Sequence, residues 1–151
     1  IEKYQDNMGD GSIDDDSFIK VEDPVRHIEF KWDSLDINYG DMIDLTVEID
    51  TMEDLHNVRI QIPLYDNQST VAGEWFSERY ATKQLNLYKG KNIVKIQLGP
   101  MYLKSGIYKT AFVLTDEKRI GFPVWAYKSH VLKVNGPSLG AWPYQIMGVV
   151  K

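Results

Sequence analysis

Cysteine is missing from all 151 residues, which excludes a disulfide framework, a thiolate zinc site and a cysteine nucleophile. A basic block is missing as well. With a net charge of -5 and its cations dispersed, the chain is not expected to take a nucleic-acid backbone as partner. No apolar run approaches the roughly 20 residues that span a bilayer, and no signal peptide is legible. Phosphate loops of the GxxxxGKS/T kind are absent, so these residues offer no ATP site of that type. A GxSxG nucleophile elbow is absent too, and no pair of carboxylates stands out for acid–base work. The sequence makes no case for an enzyme, and nothing in it calls for a cofactor. The three histidines, His27, His56 and His130, lack any HxH or HExxH spacing. A sustained helical period of 3.6 residues is missing, and "MEDLHN" offers at most one turn.

What remains is a strong period of two. In "MIDLTVEID", Ile43, Leu45, Val47 and Ile49 alternate with Asp44, Thr46, Glu48 and Asp50. "VRIQIPLYD" sets Val58, Ile60, Ile62 and Leu64 against Arg59, Gln61, Pro63 and Tyr65. "NIVKIQL" and "YKTAFVL" repeat the pattern, and "RHIEFKW" offers Ile28, Phe30 and Trp32. Strands apolar on one face belong to antiparallel sheets that share a core. Turn signals such as "NYGD", "YDNQS" and "YKGKN" separate the runs. The expected fold is all-β, an immunoglobulin-like antiparallel β-sandwich. Pro63 predicts an edge position or a bulge for its strand. In "KSGIYKT", Tyr108 fits a tyrosine corner, its hydroxyl bonding back to the chain.

Residues 1–16 differ: they are acidic, with little periodicity, and read as a linker or a loosely attached first strand. Residues 17–151 then form the sandwich. Part of a calcium-loop pattern falls on Asp6, Asp10, Gly11, Ile13 and Asp14, but Met8 stands where an oxygen ligand belongs. Ser17 replaces the closing Glu, so no metal site is assigned. The chain opens on Ile1 and is expected to continue a longer one.

"GEWFSERY" mixes rings and charges in a way that neither a core strand nor a solvated loop requires. On outward faces the candidates are Arg59, Gln61 and Tyr65 on one strand, with Gln97 and Lys109 on two others. Trp125 and Tyr127 share a face, and Trp75, Arg79 and Tyr80 are expected beside Tyr65. Such a surface suits a sugar, whose C–H faces stack on rings while side chains bond its hydroxyls. The competing reading is that half of these rings complete the core, since Trp is highly buried on average.

The order "MGDG", "INYGDMIDLTVEI", "VRIQIPLYDNQSTVAGEWFSE" and "LYKGKNIVKIQLGPMYLKSGIYKTAFVL", closed by a Trp-containing segment, resembles a known family. It is similar to the C-terminal carbohydrate-binding domain of Wzt-type proteins, the nucleotide-binding subunits of ABC transporters that export O-antigen polysaccharide. The similarity covers about residues 8–145. It implies a non-catalytic sandwich that recognises the end of the O-polysaccharide at the cytoplasmic face of the bacterial inner membrane. It implies an ATPase domain earlier in the same chain, a transporter membrane subunit as partner, and a homodimer. Exchange of the last strand, through residues 139–150, would give "AWPYQIMGVV" a purpose. Two alternatives stay open: an immunoglobulin-like adhesion or spacer module, and a carbohydrate-binding module of a secreted glycosidase.

Overall fold

The computed structural model describes residues 2–3, 16–80, 84–136 and 150; of Glu2, Lys3 and Tyr80 it describes the backbone alone. Most of the acidic segment, the calcium-like stretch and the exchangeable strand at 139–150 therefore lie outside the described residues.

Among the described residues, ten strands and one helical turn follow in order. They are β1 (Glu2–Lys3), β2 (Phe18–Val21), β3 (Val25–Trp32), β4 (Asp36–Asn38), β5 (Ile43–Thr51), β6 (Arg59–Tyr65) and β7 (Val71–Phe76). After α1 (Ser77–Tyr80) come β8 (Gly90–Leu98), β9 (Gly106–Thr115) and β10 (Val124–Asn135). The larger sheet runs β1-β2-β10-β9-β6-β7, with β4 pairing beside β10, and the smaller runs β3-β5-β8. Every pairing is antiparallel except β4 with β10, which is parallel. The all-β sandwich read from the period of two is what forms.

The core follows that period. Ile43, Leu45, Val47 and Ile49 of β5 are buried, as are Ile60, Ile62 and Leu64 of β6 and Phe112 and Leu114 of β9. Burying each such side chain contributes about 2 kcal/mol. Phe30 and Trp32 of β3 pack on the same cluster from one edge. The tyrosine corner is present: the buried Tyr108 hydroxyl donates to the Lys104 carbonyl at 2.7 Å.

Turns form where Gly, Asn and Asp predicted them. In "NYGD" the Asn38 N–H donates to the Asp41 carboxylate at 2.8 Å, and Gly40 takes φ 89°. In "YDNQS" the Asp66 carboxylate accepts from the N–H groups of Gln68 and Thr70, each at 2.9 Å, closing the β6–β7 hairpin.

Three local expectations differ. "MEDLHN" makes no helical turn; Leu55 instead forms a bridge with Leu87. Among the described residues the one short helix is α1, where Ser77 turns its hydroxyl inward to accept from the Ile60 N–H at 2.9 Å. Pro63 is not at an edge, since β6 lies between β9 and β7. Its strand manages the missing donor by interruption: the β9 ladder runs from Arg59 to Gln61 and resumes at Leu64. The β7 ladder shifts register between Leu64 and Tyr65, the irregularity that Pro63 foretold.

Candidate functional site

Strand alternation sends every second residue of the larger sheet away from the core. One cross-strand row joins Lys20 to Trp125, Val113, Gln61 and Phe76, from β2 through β10, β9 and β6 to β7. Phe18 pairs with Tyr127, and Tyr65 pairs with Lys109, on the same outward side. The result is a continuous array of rings. Phe122 lies 6.0 Å from Trp125, Trp125 lies 5.0 Å from Phe18, and Phe18 lies 5.6 Å from Tyr127. Tyr127 in turn lies 5.4 Å from Tyr65. Trp125 is 37% and Phe122 44% exposed, so this end of the array is open to solvent.

Polar groups flank the rings. The Gln61 amide donates to the Glu74 carboxylate at 3.4 Å, and Arg59 pairs with Glu78 at 3.0 Å. Arg59, Gln61, Phe76, Glu78 and Thr115 border a small hollow of about 150 Å³ at this corner. At the other corner a register shift between Ala126 and His130 leaves Lys128 at φ 53°. Its ammonium donates to Ser69 Oγ at 2.7 Å, lies 3.4 Å from the Asp16 carboxylate and sits 5.1 Å from the Tyr127 ring centre. Lys109 is buried beneath this corner. The Tyr65 phenol has its pKa raised, first by burial and then by the neighbouring Tyr127 and Glu74, with Lys128 opposing. It therefore keeps its proton at neutral pH and can donate it to a ligand oxygen.

The array gathers Arg59, Gln61, Tyr65, Lys109, Trp125 and Tyr127, six of the ten residues expected on such a face. Arg79 stands at its rim, exposed, with its guanidinium carbon 5.8 Å from the Phe76 ring centre. The side chain of Tyr80 lies outside the described residues. Two expectations are corrected. Trp75 is not beside Tyr65: it pairs with Ile62 on the core side of β7, while its neighbour Phe76 takes the outward side. Gln97 belongs to β8, on the outward face of the smaller sheet, where its amide donates to Asp44 at 3.2 Å.

Phe18, Lys20, Glu74, Phe76 and Phe122 join the face without having been singled out. The alternation in "SFIKVE", with Ile19 buried between Phe18 and Lys20, is a signal for the first two. Phe122 precedes β10 outside any strand pattern, so alternation offers nothing for it.

Trp75 and Gln97 meet elsewhere. Both border a cleft of about 350 Å³ along the open side of the sandwich, between β7 and the segment that follows β8. That segment begins at Gly99, with φ 125°, where a Cβ would fall 2.8 Å from the Asp41 carbonyl oxygen. Glycine alone fits there. Among the described residues, no group of three or more His, Asp or Glu is placed to hold a metal ion.

No protein-family model and no curated protein matches the sequence. Among solved structures, the C-terminal domain of wzt superposes with a TM-score of 0.74 and 11% identity, covering 93% of this chain and 91% of that one. A CARDB domain from Pyrococcus furiosus in complex with di-metal ions aligns at 0.43 and 9% identity, over 77% of this chain and 93% of that chain. A β-glucosidase from Listeria innocua in complex with laminaribiose aligns at 0.45 and 18% identity, over 75% of this chain and 16% of that chain. The wzt likeness, across nearly the whole of both chains, establishes that this chain has that domain's fold.

Proposed function

We propose that this chain is a non-catalytic glycan-binding domain and that the ring array from Phe122 to Tyr65 is where the glycan lies. The array itself carries the reading. Four ring contacts of 5.0–6.0 Å, three edge-to-face and one tilted, form a strip of apolar rings, and Lys20, Gln61, Glu74 and the Tyr65 hydroxyl border it. A pyranose has the complementary chemistry, with C–H groups on one face and hydroxyls at its edge. Stacking brings affinity, and the polar border fixes orientation. A half-open face of this kind binds with a Kd on the order of micromolar to millimolar, about 4–8 kcal/mol.

The wzt fold likeness supports placing this domain in O-antigen export, as the recognition module of an ATP-binding transporter subunit. In that setting an ATPase domain precedes it in the same chain, a membrane subunit is its partner, and it works at the cytoplasmic side of the bacterial inner membrane. A homodimer with residues 139–150 exchanged belongs to the same proposal. Among the described residues, no helix is long and apolar enough to cross a membrane.

The test is binding of the domain to a panel of bacterial O-polysaccharides, followed by tryptophan fluorescence and native-gel co-migration. Binding to one polysaccharide but not to its terminally trimmed form is the expected result. Silence across the panel from a folded protein would sink the proposal and favour a spacer module.

A further inference from the structure

The small hollow at the Arg59 corner of the array brings three kinds of group together. Strand pairing places most of its border: Arg59 lies opposite Thr115, and Gln61 lies between Val113 of β9 and Phe76 of β7. Glu78 enters from α1, next to the Ser77 whose hydroxyl ties that turn to the Ile60 N–H. The Arg59 guanidinium, the Gln61 amide and the Thr115 hydroxyl supply donors, the Glu78 carboxylate supplies acceptors, and Phe76 supplies an apolar ring. Arg59 meets Glu78 through its Nε at 3.0 Å, with the two side chains 54% and 57% exposed. Both therefore face solvent, and an exposed pair of this kind yields readily to a ligand that offers equivalent bonds. The volume, about 150 Å³, falls below the roughly 300 Å³ at which a pocket encloses a whole small molecule. There is room for one substituent of a sugar and not for its ring.

We infer that this hollow is the subsite for an acetamido group, so that the glycan on the array includes an N-acetylhexosamine. The inference rests on the glycan-binding reading and deepens it. An acetamido group is planar and carries one carbonyl acceptor, one N–H donor and one methyl. The carbonyl matches Arg59 and the Gln61 amide, the N–H matches Glu78, and the methyl matches Phe76. Other small substituents meet fewer of these groups. A hydroxyl leaves the Phe76 ring without a contact, and an acetyl ester has no N–H for Glu78. A carboxylate would have to take Arg59 from Glu78 and would then stand among two carboxylates, since Glu74 accepts from Gln61 beside it. The sugar ring has its place as well. Val113 pairs with Trp125 on one side and with Gln61 on the other. The backbones of Trp125 and Gln61 are thus two strand spacings apart, about 10 Å. A pyranose over Val113 has the indole at one edge and the hollow at the other.

The test uses two pairs of free sugars, N-acetyl-D-glucosamine with D-glucose and N-acetyl-D-galactosamine with D-galactose. Each is titrated into the protein by ligand-observed NMR. At least one N-acetyl sugar should bind about tenfold more tightly than its partner, with its acetyl methyl receiving the strongest saturation from the protein. Glu78→Ala and Arg59→Ala should each weaken that binding about tenfold, and both sites are more than half exposed, so the fold is retained. Lys95→Ala, on the exposed face of the smaller sheet, should leave it unchanged. Equal affinity within both pairs, no effect of either change at the hollow, or no binding of any of the four sugars would each overturn the inference. A polysaccharide that binds through Trp125 while the N-acetyl sugars show no preference would refute the hollow and leave the glycan reading standing. A preference that depends on Glu78, without any polysaccharide binding, would do the reverse.

Discussion

Tyr65 and Tyr127 stand on strands that are not neighbours, yet their ring centres are 5.4 Å apart. β6 and β10 are separated by β9, so their backbones are about 10 Å apart at the usual strand spacing. Outward on β9, two residues from the Lys109 that pairs with Tyr65, stands Ala111, which is buried and presents a single methyl group.

Ala111→Leu should therefore wedge the two rings apart. Overpacking at this buried position should cost about 1–3 kcal/mol in stability, and glycan affinity should fall about tenfold. Near-ultraviolet circular dichroism would report the lost ring coupling, and titration with a binding polysaccharide would report the affinity. An unchanged affinity in a folded variant would remove Tyr65 from the site.

The two tryptophans at 75 and 125 should separate cleanly. Trp125 is outward and meets Phe18 edge-to-face at 5.0 Å, so Trp125→Ala should weaken polysaccharide binding by about 1–2 kcal/mol while costing little stability. Trp75 packs on the core, so Trp75→Ala should lower stability by about 2–4 kcal/mol. It should leave stacking on the array intact. Urea denaturation alongside glycan titration distinguishes the two, and the opposite pattern would invert the assignment of faces.

That pair also shows where reading the sequence stops. Adjacent aromatics in a strand must point to opposite sides, so "WF" guaranteed one ring in and one out. Which is which depends on register, and pairing of Gln61 with Phe76 decides it. Gln97 is the same problem one level higher. Alternation makes it outward, but a sandwich has two outward faces, and only the pairing of β8 with β5 says that it faces away from the rings. Within β5, by contrast, Ile43 to Ile49 alternate so strictly with charge that a one-residue slip would expose the whole apolar set. That strand was fully legible. Pro63 was half legible: the irregularity is there, but the strand is central because the ladder to β9 is interrupted rather than ended.

Tyr108→Phe should remove the 2.7 Å bond to the Lys104 carbonyl. The loss leaves one acceptor short of its partner and should cost about 1–2 kcal/mol. Because Tyr108 is on the inward side of β9, glycan affinity should stay the same. A fall in affinity without a fall in stability would contradict its role as a corner that holds the β8–β9 connection.

His130 should make stability depend on pH. Its ring faces Phe30 at 5.5 Å and Trp32 at 6.0 Å, and its Nδ1 is 2.9 Å from Ser129 Oγ. Burial lowers its pKa from 6.5 to about 4, because desolvation disfavours the imidazolium cation. Between these values the unfolded chain binds a proton that the folded one does not. Stability is thus complete above about pH 6.5 and is lost as the pH falls toward 4 and below. The total at stake is about 3 kcal/mol. Urea midpoints measured from pH 7 to pH 4 should show this decline, added to whatever the carboxylates contribute. His130→Phe keeps the ring contacts and removes the titration, so its decline should be shallower by about that amount. If the two curves run parallel, the imidazole is protonated in the folded protein and its pocket is wetter than the packing of Phe30 and Trp32 requires.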